Sequence, residues 1–142
     1  MSGGEQQFDD PSRSANKSFE PTFEAASEAR RYADRVLREW DVAIPDDVLL
    51  LVAELAANAV RHARTHFELS LRLQSGSLLV AVSDASCAPP ELVDPMPTAP
   101  GGRGLLIVSA LATSWGWEPL PGGKTVWAAV HAARPPGDQP WS

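Results

Sequence analysis

Cysteine is all but missing: Cys87 stands alone among 142 residues, so no internal disulfide can form. Histidine is nearly as scarce, at 3 residues, and no Cys or His cluster has metal-ligand spacing. Positive charge is in deficit. Lys plus Arg number 12 against 18 Asp plus Glu, a net charge of −6, which argues against a partner gripped through a basic face, nucleic acid above all. No apolar run approaches the roughly 18 residues of a membrane-spanning helix. The opening segment MSGGEQQFDDPSRSANK lacks the apolar core of a secretory signal, so a cytoplasmic location is expected. What remains is one mildly acidic domain, long enough to bury a core without cross-links.

Residues 1–16 are polar and rich in Gly and Ser, with too few apolar groups to offset the entropy of ordering; they read as a disordered arm. The folded domain is expected over 17–134, opening with a short strand around Phe19, and 135–142 read as a flexible tail. Apolar residues recur at Ala26, Ala29, Ala33, Val36, Leu37 and Trp40, which predicts a helix over 23–40. Its charges balance. Glu24, Glu28, Asp34 and Glu39 are set against Arg30, Arg31, Arg35 and Arg38, the mark of a solvated face with i, i+4 pairs.

Pro45 breaks the chain, and Asp46 or Asp47 can cap a second helix over 46–64, whose alanine-rich apolar set predicts close packing. Strands over 67–73 and 78–83 follow, joined by Gln74-Ser75-Gly76-Ser77 as a hairpin. Pro89, Pro90, Pro95, Pro97 and Pro100 then exclude helix and central strand, and a connection of that length inside a compact domain is often a lid. A glycine-led helix over 105–112 and two strands, 114–118 and 124–131, complete the chain. Strands linked by hairpins, with helices between them, predict an α+β two-layer sandwich. Its sheet should be mixed, mostly antiparallel, with the helices on one face.

Three features carry chemistry. Glu54 and Asn58 are one helical turn apart on a largely apolar helix, where each must find a partner or face a cavity. The spacing fits a carboxylate base beside an amide ligand for magnesium, and it equally fits a capping or surface pair. Asp84 ends an apolar strand. Its carboxylate can accept an exocyclic amine such as that of adenine, or satisfy its own turn backbone. Gly101-Gly102-Arg103-Gly104 precedes an amphipathic helix, so open backbone N–H groups and a guanidinium would meet at the positive end of a helix dipole, either an anion site or a simple hinge. The dinucleotide and P-loop glycine patterns are absent. His62, just past the Glu54–Asn58 turn, reads as a packed or capping histidine rather than one beside phosphates, His66 and His131 have no companions at ligand spacing, and Trp115, Trp117 and Trp127 read as core or edge packing.

The order of these parts is more telling than any one of them. ELAANAVRHA, VSDASCAPP, GGRGLLIVSALATSWGW and Gly122-Gly123-Lys124-Thr125 before the last strand resemble, from about Phe19 to Val130, the GHKL-type ATPase (Bergerat) fold. Within it the chain is similar to small anti-sigma-factor serine/threonine kinases. The resemblance implies Glu54 as general base, Asn58 as magnesium ligand and Asp84 on the adenine amine, with Thr125 assisting. It also implies Gly102, Arg103 and Gly104 beside the phosphates of ATP, and a lid over 85–101. The implied activity is transfer of the ATP γ-phosphoryl group to an anti-sigma antagonist protein. A sigma factor is the implied competing partner, and a homodimer the implied assembly. One departure is clear. Where the pattern has Asp-x-Gly-x-Gly, this chain has Asp84-Ala85-Ser86-Cys87-Ala88, with neither glycine. That departure motivates an alternative, a nucleotide-dependent switch that holds a sigma factor or other regulator without phosphorylating anything.

Overall fold

Two side-chain periods build the molecule: alternation along five strands, and a stripe down each of two helices. The computed structural model describes residues 13–43, 46–87 and 111–132. Within them the order is β1 (Arg13–Phe19), α1 (Ala25–Glu39), α2 (Asp46–Asn58) running into a π-helical turn (Ala59–Ala63), β2 (Phe67–Gln74), β3 (Ser77–Asp84), β4 (Ser114–Leu120) and β5 (Gly123–His131).

The strands form one sheet in the order β1-β2-β3-β5-β4. Each of its pairings is antiparallel, in line with the mostly antiparallel sheet expected. The reason lies in the connections. Two consecutive helices return the chain, so β2 runs against β1, while β2–β3 and β4–β5 are hairpins. The first hairpin turns on Ser75 and Gly76, both at positive φ (54° and 75°), as a two-residue turn matched to strand twist requires.

One face of the sheet is covered. Phe67, Leu69 and Leu71 of β2, Leu78, Val80 and Val82 of β3, and Val126, Ala128 and Val130 of β5 are buried. Against them lie Ala25, Ala29, Ala33, Val36 and Leu37 of α1 and Val48, Leu51, Val52, Leu55 and Ala56 of α2. Small residues on α1 let its backbone come close, and Phe19 stacks on Phe67 at 5.4 Å between ring centroids. The two-layer α+β sandwich is therefore as expected.

Boundaries differ in three places. β1 begins at Arg13, inside the segment expected to be a disordered arm, because Arg13 to Asn16 pair through their main chain with Leu73 to Ser70. An edge strand needs few apolar side chains, so composition does not reveal it. The first helix starts at Ala25, leaving Phe23 94% exposed. The second keeps α-helical geometry only to Asn58 and then widens to a π turn, closed by Arg64 at φ 59°. Of the expected lid, residues beyond Cys87 lie outside the described residues, as do 1–12, 105–110 and the tail 135–142.

Candidate functional site

Asp84 is the last residue of β3, and register sets it between Phe67 of β2 and Lys124 of β5. Phe67 is buried under the helices, so alternation turns Asp84 and Lys124 toward the same covered face. There they form an ion pair. Lys124 Nζ lies 3.1 Å from Asp84 Oδ1, and each side chain is only 3% exposed. The Ser86 backbone N–H donates to that same oxygen at 2.9 Å, closing a side-chain turn. No hydrogen bond among the described residues reaches Oδ2, and none of their buried side-chain polar atoms lacks a partner. The second oxygen therefore keeps an opening to the surface.

Gly123 makes this geometry possible. A Cβ at that position would overlap the Asp84 carbonyl oxygen, so β5 can begin this close to the end of β3 only with a bare backbone. Gly123→Ala is expected to destabilise the fold by about 3 kcal/mol, because the obstacle is backbone and cannot rotate away. Urea melts of the two proteins measure this, and a loss under about 1 kcal/mol counts against a fixed β3–β5 junction.

Glu54 and Asn58 lie one turn apart near the end of α2, Glu54 half-buried and Asn58 only 6% exposed. No hydrogen bond among the described residues engages the Glu54 carboxylate or the Asn58 amide. Because no buried polar side-chain atom among those residues is orphaned, the amide must reach the surface. The segment leaving this helix comes back to Asp84. Thr65 Oγ1 accepts the Ala85 N–H at 3.1 Å and donates to the His66 carbonyl at 2.9 Å. That bridge puts the end of the Glu54–Asn58 helix and the end of β3 at one end of the molecule. A cavity of about 310 Å³ opens at the same sheet end, between Asp84, Glu68, His66 and the β4–β5 turn at Gly122.

Thr125 is not brought to Asp84. It sits one residue along β5, on the opposite face of the sheet, with its hydroxyl 2.6 Å from Ser83 Oγ. The residue that β5 presents to the Asp84 carboxylate is Lys124. Alternation explains the displacement: Val126, Ala128 and Val130 face the core, so Lys124 faces it and Thr125 cannot. The same count along Gly123-Lys124-Thr125-Val126 was available in the sequence and would have found Lys124. Thr65 carried no such signal, since its role depends on where two distant segments meet. Gly102, Arg103 and Gly104 lie outside the described residues.

Chemically, the arrangement offers one uncommitted carboxylate oxygen for an amine and one uncommitted amide near a carboxylate. Among the described residues no three His, Cys, Asp or Glu side chains cluster. A divalent cation held here would rely on the Asn58 oxygen together with oxygens of a ligand, the habit of magnesium.

A model of the histidine kinase-like ATPase domain matches residues 19–130. The chain belongs to that family. Of solved structures, the RsbU and RsbW domains of Rv1364c from Mycobacterium tuberculosis share this ATPase-domain fold with a TM-score of 0.65 at 20% identity, over 87% of this chain and 33% of that one. This chain thus spans about a third of the length of the mycobacterial chain. The histidine kinase AdeS from Acinetobacter baumannii aligns with a TM-score of 0.48 at 14% identity, over 84% of this chain and 68% of the other. No curated protein matches. Among the described residues, no helix of this ATPase domain is long and apolar enough to cross a membrane.

Proposed function

We propose that this ATPase domain binds Mg-ATP and transfers its γ-phosphoryl group to a serine or threonine of a partner protein. The observation that carries the reading is the Asp84 carboxylate, fixed through one oxygen and open at the other, in a family whose model spans residues 19–130. Oδ2 would accept the N–H of the adenine amine. Gly102, Arg103 and Gly104 would stand beside the phosphates. Magnesium, held through Asn58, would neutralise charge on the phosphate oxygens. Glu54, one turn away, would accept the proton of the incoming hydroxyl. Phosphoryl transfer has a loose transition state, so positioning and charge neutralisation are most of what the site must supply. By the family resemblance of its motifs the role would be anti-sigma, with a sigma factor and an antagonist as partners and a homodimer as the working form, and a mycobacterial chain with RsbU and RsbW domains has a similar fold.

The departure at Ala85-Ser86-Cys87-Ala88 favours a second reading, a nucleotide-dependent switch without transfer. Both readings require nucleotide binding, and a thermal melt tests it. Mg-ATP at a hundredfold excess over its Kd is expected to stabilise the fold by about 2.7 kcal/mol, a rise of several degrees in Tm, and Asp84→Asn should lose most of that gain. No shift at millimolar Mg-ATP removes both readings. Labelled ATP with candidate antagonists then separates them, since a switch leaves every partner unlabelled.

A further inference from the structure

Among the described residues, Lys124 is the one buried charge at the candidate base site to which the resemblance assigned no role. Taking an ammonium out of water carries a desolvation cost that its partner must offset, and replacing both members of such a buried pair by apolar side chains is often neutral or stabilising. Asp84, moreover, already has a backbone donor in Ser86. Stability alone therefore gives little reason for a lysine. Geometry gives a better one. The Lys124 ammonium and the Ser86 N–H converge on the same atom, Oδ1, at 3.1 and 2.9 Å. Two donors on one oxygen fix both the position and the rotation of the group, leaving Oδ2 aimed out of the ion pair as a lone acceptor. Gly123 removes any freedom in how Lys124 arrives, because β5 must start hard against the Asp84 carbonyl.

We propose that Lys124 is the positioning residue of the base site: by tying Asp84 Oδ1 it presents Oδ2 to the exocyclic amine of a 6-aminopurine nucleotide. This rests on the reading of Asp84 given above, and it adds the residue that sets base selectivity. The ligand class follows from the acceptor. A ring amine donates to Oδ2, whereas a purine without that amine leaves a buried carboxylate oxygen facing apolar C–H.

The test compares two nucleotides, ATP and purine riboside 5′-triphosphate, which lacks only the 6-amine, by calorimetric titration in magnesium buffer. The unaltered chain is expected to prefer ATP by roughly ten- to a hundredfold, the range for a hydrogen bond to a charged group. In Lys124→Met the preference should fall toward one through weaker ATP binding, with the analogue's Kd little changed. Lys124→Arg, which keeps a charged donor, should recover most of it. A merely structural lysine predicts otherwise: both nucleotides weaken together and the ratio stands, which overturns the proposal. A ratio near one in the unaltered chain sinks the Asp84 reading itself, and the role of Lys124 with it. Should the variants not fold, the unaltered chain still decides. Its Lys124 ammonium signal in ¹⁵N NMR is expected to stay hydrogen-bonded as ATP is added, and its release on binding means the ion pair opens rather than positions.

Discussion

Replacing Lys124 by methionine is expected to lower folding stability by about 3–5 kcal/mol, one of the two largest effects anticipated for a single substitution in this chain. Methionine has similar volume, so little of the loss comes from a cavity. It comes from Asp84, whose side chain is 3% exposed and would keep its charge with only the Ser86 N–H as donor. Asp84→Asn leaves the lysine stranded instead and should also destabilise. The double variant, Asp84→Asn with Lys124→Met, removes both charges and is expected to fall well short of the summed single losses, with a coupling energy of about 2–3 kcal/mol. Urea denaturation of the four proteins closes the cycle. Additive losses would mean that the two groups do not sense each other in solution and that the pair is a surface contact.

This pair also shows how far the sequence could be read. The two-layer architecture was legible because its signals are periodic: the alanine stripe of α1, the alternation of Leu69 and Leu71, and the Ser75-Gly76 turn each state their local structure without help. The hairpin-rich order then restricts the sheet. β1 was half hidden, since Ser14 to Asn16 join the sheet through main-chain bonds that no side chain advertises. At the candidate site, Glu54, Asn58 and Asp84 were legible as polar residues in apolar company, and the fold brings the ends of their elements together through Thr65 and Ala85. Thr125 was assigned by motif and not by counting faces. A one-residue step along a strand reverses the side to which a side chain points, so the motif alone could not say which of Lys124 and Thr125 would meet Asp84. Register decides that, and register is a property of three strands at once.

Glu54→Gln carries the other large expected effect, and it separates chemistry from binding. The substitution keeps the size and polarity of the side chain, which is half-buried and engages no hydrogen bond among the described residues, so the fold should lose little stability. A glutamine amide cannot accept a proton. If Glu54 takes the hydroxyl proton of the acceptor during transfer, the rate of labelling of a partner protein from ATP should fall by about 10²- to 10⁴-fold, the usual weight of general-base catalysis. The Kd for Mg-ATP should stay the same, because the carboxylate contributes to neither the Asp84 contact nor the Asn58 amide. Single-turnover labelling at saturating ATP measures the first quantity and calorimetry the second. Unchanged labelling removes Glu54 as the base. A parallel loss of ATP affinity assigns it instead to holding the nucleotide or its metal. The pair of outcomes matters because Asn58 sits one turn further along α2: Asn58→Ala should weaken Mg-ATP binding and labelling together, whereas Glu54→Gln should change only the rate, and that contrast is what distinguishes a transferring enzyme from a switch built on the same helix.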